Sequence, residues 1–162
     1  MAVGDAHDDA RGHLDALVAD VPAITPRGKT PRARIASVAR AIRRQAETDR
    51  LVQSVAQELG RGAEVSFPGQ VALAREMEAA GVRGARAAQA VRAILFMVGG
   101  FVLLADNFAH RREGSRTTQE LWRAVDDPEL DDELRAAMSR PASTDDLFDY
   151  ALDRLLESVL RD

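Results

Sequence analysis

At 162 residues, 46% hydrophobic and 30% charged, the chain holds enough apolar material for one domain with its own core and lacks a disordered composition. Its net charge of −4 argues against nucleic-acid binding through overall electrostatics. The absence of cysteine excludes disulfides, thiolate metal sites and cysteine nucleophiles.

MAVGDAHDDARGHL is acidic and polar where a secretory signal needs a basic start and an apolar run, so the cytoplasm is the expected compartment. Residues 1–8 are expected to be disordered. A first helix is predicted over about Asp9–Asp20, with Leu14, Leu17, Val18 and Val21 on one side. PAITPRGKTP, 22–31, reads as a loop, and Thr30-Pro31 as the N-cap and first residue of a second helix reaching about Thr48. Ile35, Val38, Ala39, Ile42 and Ala46 should face its core side. Asp49 caps a short helix that Gly60 ends. GRGAEVSFPG, 60–69, is predicted as a second loop, followed by a helix from Pro68 to Ala80 that Gly81 stops.

The longest helix is predicted over 85–110 and contains AILFMVGGFVLLA, residues 93–105, which carries no charge and no side-chain hydrogen-bonding group. Spanning a bilayer takes ~20 apolar residues, and this run sits between Arg92 and Asp106, so a buried core helix is expected and no membrane partner. TQELWRAVD and ELDDELRAAMS supply two short helices. Ser143 or Thr144 caps a last helix to about Leu160, whose wide apolar face calls for two neighbours, as in a bundle or a dimer seam. The sum is about eight helices and no strands, an all-α single domain over 1–162.

The basic run PRGKTPRARIASVARAIRR, 26–44, holds seven positive charges and could contact phosphates. It lacks interleaved aromatics, and an arginine-rich solvated helix face is the plainer account. VALAREMEAAGVRGARAAQAV imitates a helix-turn-helix, with Arg83, Arg86, Gln89 and Arg92 on the second helix. That helix continues into the apolar run, which a recognition helix cannot do, so no direct DNA binding is expected. His7 and His13 lack metal-ligand spacing, and neither metal nor cofactor is expected. Asp106 and His110, at i and i+4, could form an acid–base pair, with Arg92 as anion stabiliser if the chain is an enzyme. A surface pair at a helix C-terminus explains them as well, and no catalytic motif supports the enzyme.

On a helical wheel the long helix divides in two. Val91, Ile94, Leu95, Val98, Phe101, Val102, Ala105 and Phe108 form a core face. Gln89, Arg92, Phe96, Gly99, Gly100, Leu103, Asp106, Asn107 and His110 form the other. A mid-helix glycine costs about 1 kcal/mol relative to alanine, so the pair should serve a close partner helix or a ligand cavity. Residues at loop–helix junctions and on the glycine face are the candidate pocket walls: Phe67, Gln70, Phe96, Leu103, Asn107 and Trp122.

GARAAQAVRAILFMVGGFVLLADNFAH, then ELWRAV, a proline-containing loop and DLFDYALDRLLESVL, resemble the C-terminal domain of tetracycline-repressor (TetR) family regulators. The similarity extends back through VALAREMEAAGV and PRARIASVARAIRRQ, over about residues 13–160. The resemblance implies a domain that binds a small apolar molecule and homodimerises through a four-helix bundle of the long and last helices. Phe148, Leu152, Leu155 and Val159 are the expected seam residues. The sequence lacks a counterpart of the family's helix-turn-helix, so the family's DNA-contacting residues have no positions here. A TetR-type fold turned into an enzyme on a small natural-product-like substrate, or a structural partner for a full-length regulator, are the alternatives.

Overall fold

The computed structural model of the chain describes residues 22–109 and 116–161; of residues 50, 51, 53, 57 and 106–109 it describes the backbone alone. The helix expected over Asp9–Asp20 lies outside this set. The described residues form seven helices and no strand: α1 (Pro31–Thr48), α2 (Arg50–Glu58), α3 (Gly62–Ala79), α4 (Gly84–Ala109), α5 (Thr118–Arg123), α6 (Asp132–Met138) and α7 (Thr144–Val159). The protein is all-α.

Local signals set most of these boundaries. Thr30 accepts a hydrogen bond from the Ala33 amide, with Pro31 opening α1. Thr117 and Glu120 form a reciprocal capping box on α5, Asp131 caps α6, and Ser143 accepts from the Asp146 amide at the start of α7. The turn between α3 and α4 passes through Gly81 at φ +87°, where an L side chain would be strained.

Of the loop expected over 60–69, residues 62–69 are instead the first half of α3, with Pro68 inside the helix. Proline there removes one helical hydrogen bond, a cost of about 3 kcal/mol in a helix interior. Packing opposes that cost. Val65 is buried with Ala56 of α2, and Gly69 is buried against Ile42 of α1. Pro68 itself is exposed, so water can reach the carbonyl it leaves unpaired.

α4 is the central element, touching α1, α3 and α7. Of the core face the wheel requires, Val91, Ile94 and Val98 are buried and Leu95, Phe101 and Val102 pack partly buried against the same core, while the side chain of Phe108 lies outside the described residues. Ile35, Val38 and Ile42 of α1, Leu73 and Met77 of α3, and Phe148, Leu152 and Leu156 of α7 complete the cluster. The stretch Gly84–Ala105 is, by length and composition, long and apolar enough to cross a membrane, so the shortness of residues 93–105 does not settle that question. Arg86, Gln89 and Arg92 lie within the stretch, and its inner face is taken up by α1, α3 and α7.

Polar stitching ties α1 to its neighbours. Arg32 pairs with Asp153 at 3.0 Å, Arg40 with Asp149 at 2.8 Å and Arg43 with Asp145 at 2.6 Å, an antiparallel ladder from α1 to α7. Arg43 is itself buried, bonds Glu47 at 2.8 Å, and lies 4.7 Å from the centre of the Phe148 ring. Phe148 meets Phe101 edge-on at 5.3 Å. Arg34 grips the buried carboxylate of Glu76 with two bonds, at 2.6 and 2.7 Å, and that hydrogen-bonded guanidinium holds the Glu76 pKa below the ordinary carboxylate value.

Candidate functional site

Two hollows flank α4. The first is an open, largely apolar groove of about 370 Å³ on the outer side of the α3–α4 hairpin. Phe67, Gln70 and Ala74 line it from α3, Ala88 and Arg92 from α4, and Glu78 stands at its polar edge. The second is a more enclosed cleft of about 200 Å³ where α1, α3 and α4 meet. Ile42, Val65, Leu95 and Val98 form its walls, Gln45, Ser66 and Gln70 supply its polar groups, and Gly99 borders it. None of the side chains lining the cleft carries a charge.

Gln70 belongs to both hollows. Its amide nitrogen donates to the Ser66 hydroxyl at 3.0 Å, one turn earlier on α3, and Ser66 donates to the Ala63 carbonyl at 3.1 Å. Gln45 is half-buried and its side-chain amide has no hydrogen-bond partner among the described residues. An amide so placed retains donors and an acceptor for something else.

Of the expected pocket walls, Phe67 and Gln70 come together at the groove. Phe67 is 61% exposed there. Phe96 and Leu103 do not line either hollow. They stand on the far side of α4, 83% and 62% exposed. Trp122 is half-buried on α5, which packs chiefly with α6 away from both hollows. The side chains of Asn107 and Asp106, and all of His110, fall outside the described residues. Arg92, the third member of the enzyme alternative, is exposed at the groove.

The four expected seam residues divide. Phe148 and Leu152 are sealed in the chain's own core, at 1% and 0% exposure, so they cannot meet a partner directly. The apolar face of α7 is wide because α1 and α4 both pack against it, and this intramolecular demand uses its centre. Leu155 and Val159 remain half-buried at its margin. Uncovered apolar side chains of the described residues cluster on α4. Phe96, Leu103 and Leu104 project there, and a Cβ added at Gly99 or Gly100 would meet nothing within 4 Å.

The cleft residues that spacing missed include Gln45, Val65 and Ser66. Gln45 follows Ile42 by three residues on α1 and interrupts its apolar stripe, a signal that could have marked it. Val65 fell in the segment expected to be a loop. Nothing in the spacing of α1 alone shows where α3 crosses it.

The basic run and the imitation helix-turn-helix also find their places. Arg32, Arg34, Arg40 and Arg43 are engaged by acidic residues, and Arg86 donates to the carbonyls of Val159 and Arg161 at 2.8 and 2.5 Å, closing the C-terminal end of α7. No protein-family model matches the chain, and no curated protein or solved structure shows significant similarity to it.

Proposed function

We propose that this chain is a homodimerising, small-molecule-sensing domain of the TetR type, acting in the cytoplasm and not itself contacting DNA. The observation that carries the proposal is the two-sidedness of α4. One side of this helix borders a mixed apolar and amide-lined cleft, and the other presents Phe96, Gly100 and Leu103 uncovered. Exposed apolar patches rimmed by polar residues mark interaction sites, and a glycine pair lets a second helix approach closely. α7, packed beside α4, adds Leu147 at 49% exposure, with Leu155 at its margin.

The resemblance of residues 13–160 to the family's effector domains supports the same assignment. So does the engagement of Arg32, Arg34, Arg40, Arg43 and Arg86 within the chain, which leaves a smaller basic surface for phosphate contacts.

Sedimentation equilibrium tests the proposal. The wild-type chain is expected to be dimeric at micromolar concentration, and Phe96→Asp monomeric with unchanged helicity. A wild-type monomer throughout the micromolar range would overturn it, as would tight sequence-specific DNA binding by this chain.

A further inference from the structure

We infer that the cleft between α1, α3 and α4 is the binding site, and that it selects a compact, uncharged, largely apolar molecule bearing one or two hydrogen-bonding groups, of the size of an aromatic alcohol or phenol. The inference rests on the sensor function proposed above and adds the location and the ligand class.

Size comes first. At about 200 Å³ the cleft is below the ~300–1,000 Å³ typical of drug-sized sites, which limits the occupant to about one ring or a short chain. Charge comes second. Ile42, Val65, Leu95 and Val98 supply apolar walls, and the polar groups are neutral amides and a hydroxyl. A carboxylate or ammonium entering here would lose its hydration and find no counter-charge, a cost of several kcal/mol that a neutral molecule avoids. Hydrogen bonding comes third. The Gln45 amide is unpaired within the described chain, and Gln70 spends one N–H on Ser66, so both can address a hydroxyl or carbonyl on the ligand.

A Cβ at Gly69 would come within 2.8 Å of Ile42, so Gly69 serves close contact of α3 with α1. A Cβ at Gly99 would meet no atom within 4 Å, so its missing side chain serves no contact inside the chain and leaves the border of the cleft open. The outer groove is also largely apolar but carries Arg92 and Glu78 at its edges, so a charged molecule would find a counter-charge there that the cleft lacks.

Calorimetry and thermal-shift measurements on the full chain, with benzyl alcohol, benzoate and benzylamine as probes, test the inference. Benzyl alcohol is expected to bind at least about tenfold more tightly than either charged analogue, equivalent to ~1.4 kcal/mol. Ala46→Leu, which fills the cleft from α1 and leaves the uncovered face of α4 unchanged, is expected to weaken benzyl alcohol by at least about tenfold while helicity and sedimentation stay those of the wild type. Ala88→Leu, filling the outer groove, should leave binding unchanged. Benzoate binding as tightly as the alcohol, or loss of binding in Ala88→Leu but not in Ala46→Leu, would overturn the cleft and leave the sensor function standing with its site in the groove. Failure of all three probes to bind a dimeric wild-type chain overturns the ligand class alone; failure with a monomeric wild type removes the sensor function as well.

Discussion

Gly69 and Gly99 both stand inside helices, yet the same substitution should act on them in opposite directions. Alanine is favoured over glycine in a helix by about 1 kcal/mol. At Gly69 the added methyl would press on Ile42 at 2.8 Å, and forcing extra volume into a packed contact costs about 1–3 kcal/mol. Gly69→Ala is therefore expected to lower unfolding stability in urea and Gly99→Ala to preserve or raise it, with Ile42→Ala less costly in the Gly69→Ala background than alone. The glycine-bearing outer face of α4 was legible from helical spacing. The role of Gly69 was not, because it depends on where α1 crosses α3. Glu76 links stability to pH. Its folded pKa lies below the ordinary value of about 4.3, so the pair with Arg34 stabilises the fold fully above that value, and the contribution disappears as pH falls through the folded pKa. Glu76→Gln should be less stable than the wild type at pH 7, and the gap should close as acid protonates the wild-type carboxylate. Urea titrations of both proteins from neutral to acid pH measure that difference.

Between elements, Arg43 carries the junction of α1, α4 and α7. It bonds Asp145 and Glu47 and stacks near Phe148 while almost fully buried. Arg43→Ala removes charge-assisted bonds and packing together, and we expect a loss of about 2–3 kcal/mol. Asp145 is 83% exposed on its side chain, and Asp145→Asn should cost less than about 1 kcal/mol. Chemical denaturation of the two variants gives the comparison. Element boundaries were legible wherever a side chain caps a helix, as at Thr30, Thr117 and Ser143. They were illegible at the start of α3. Glycine and proline there speak for a loop, and only the contacts of Val65 and Gly69 with other helices speak against it. For the same reason the width of the α7 face was visible in the sequence, but not that α1 and α4 would consume its centre.

At the scale of the whole molecule, an uncovered apolar face on the central helix predicts stability that depends on concentration. A chain whose folded form associates gains stability by mass action. The melting temperature of the wild type should rise with protein concentration, and that of Phe96→Asp should not; scanning calorimetry over a hundredfold dilution series checks this. The all-helical class was plain from periodicity, while the cleft was only partly so, since Gln70 and the glycine face came from spacing and Gln45 and Val65 needed the assembled helices. The ladder between α1 and α7 also has a consequence for biosynthesis. Arg32 and its partner Asp153 are 121 residues apart in sequence, and Phe148 covers Phe101 from the same late helix. A chain emerging from the ribosome presents α1, α3 and α4 long before α7 exists to cover them. Until that last helix arrives, Phe101 and the inner face of Arg43 have no lid, so the nascent domain passes through an interval in which chaperone capture competes with completion of the fold.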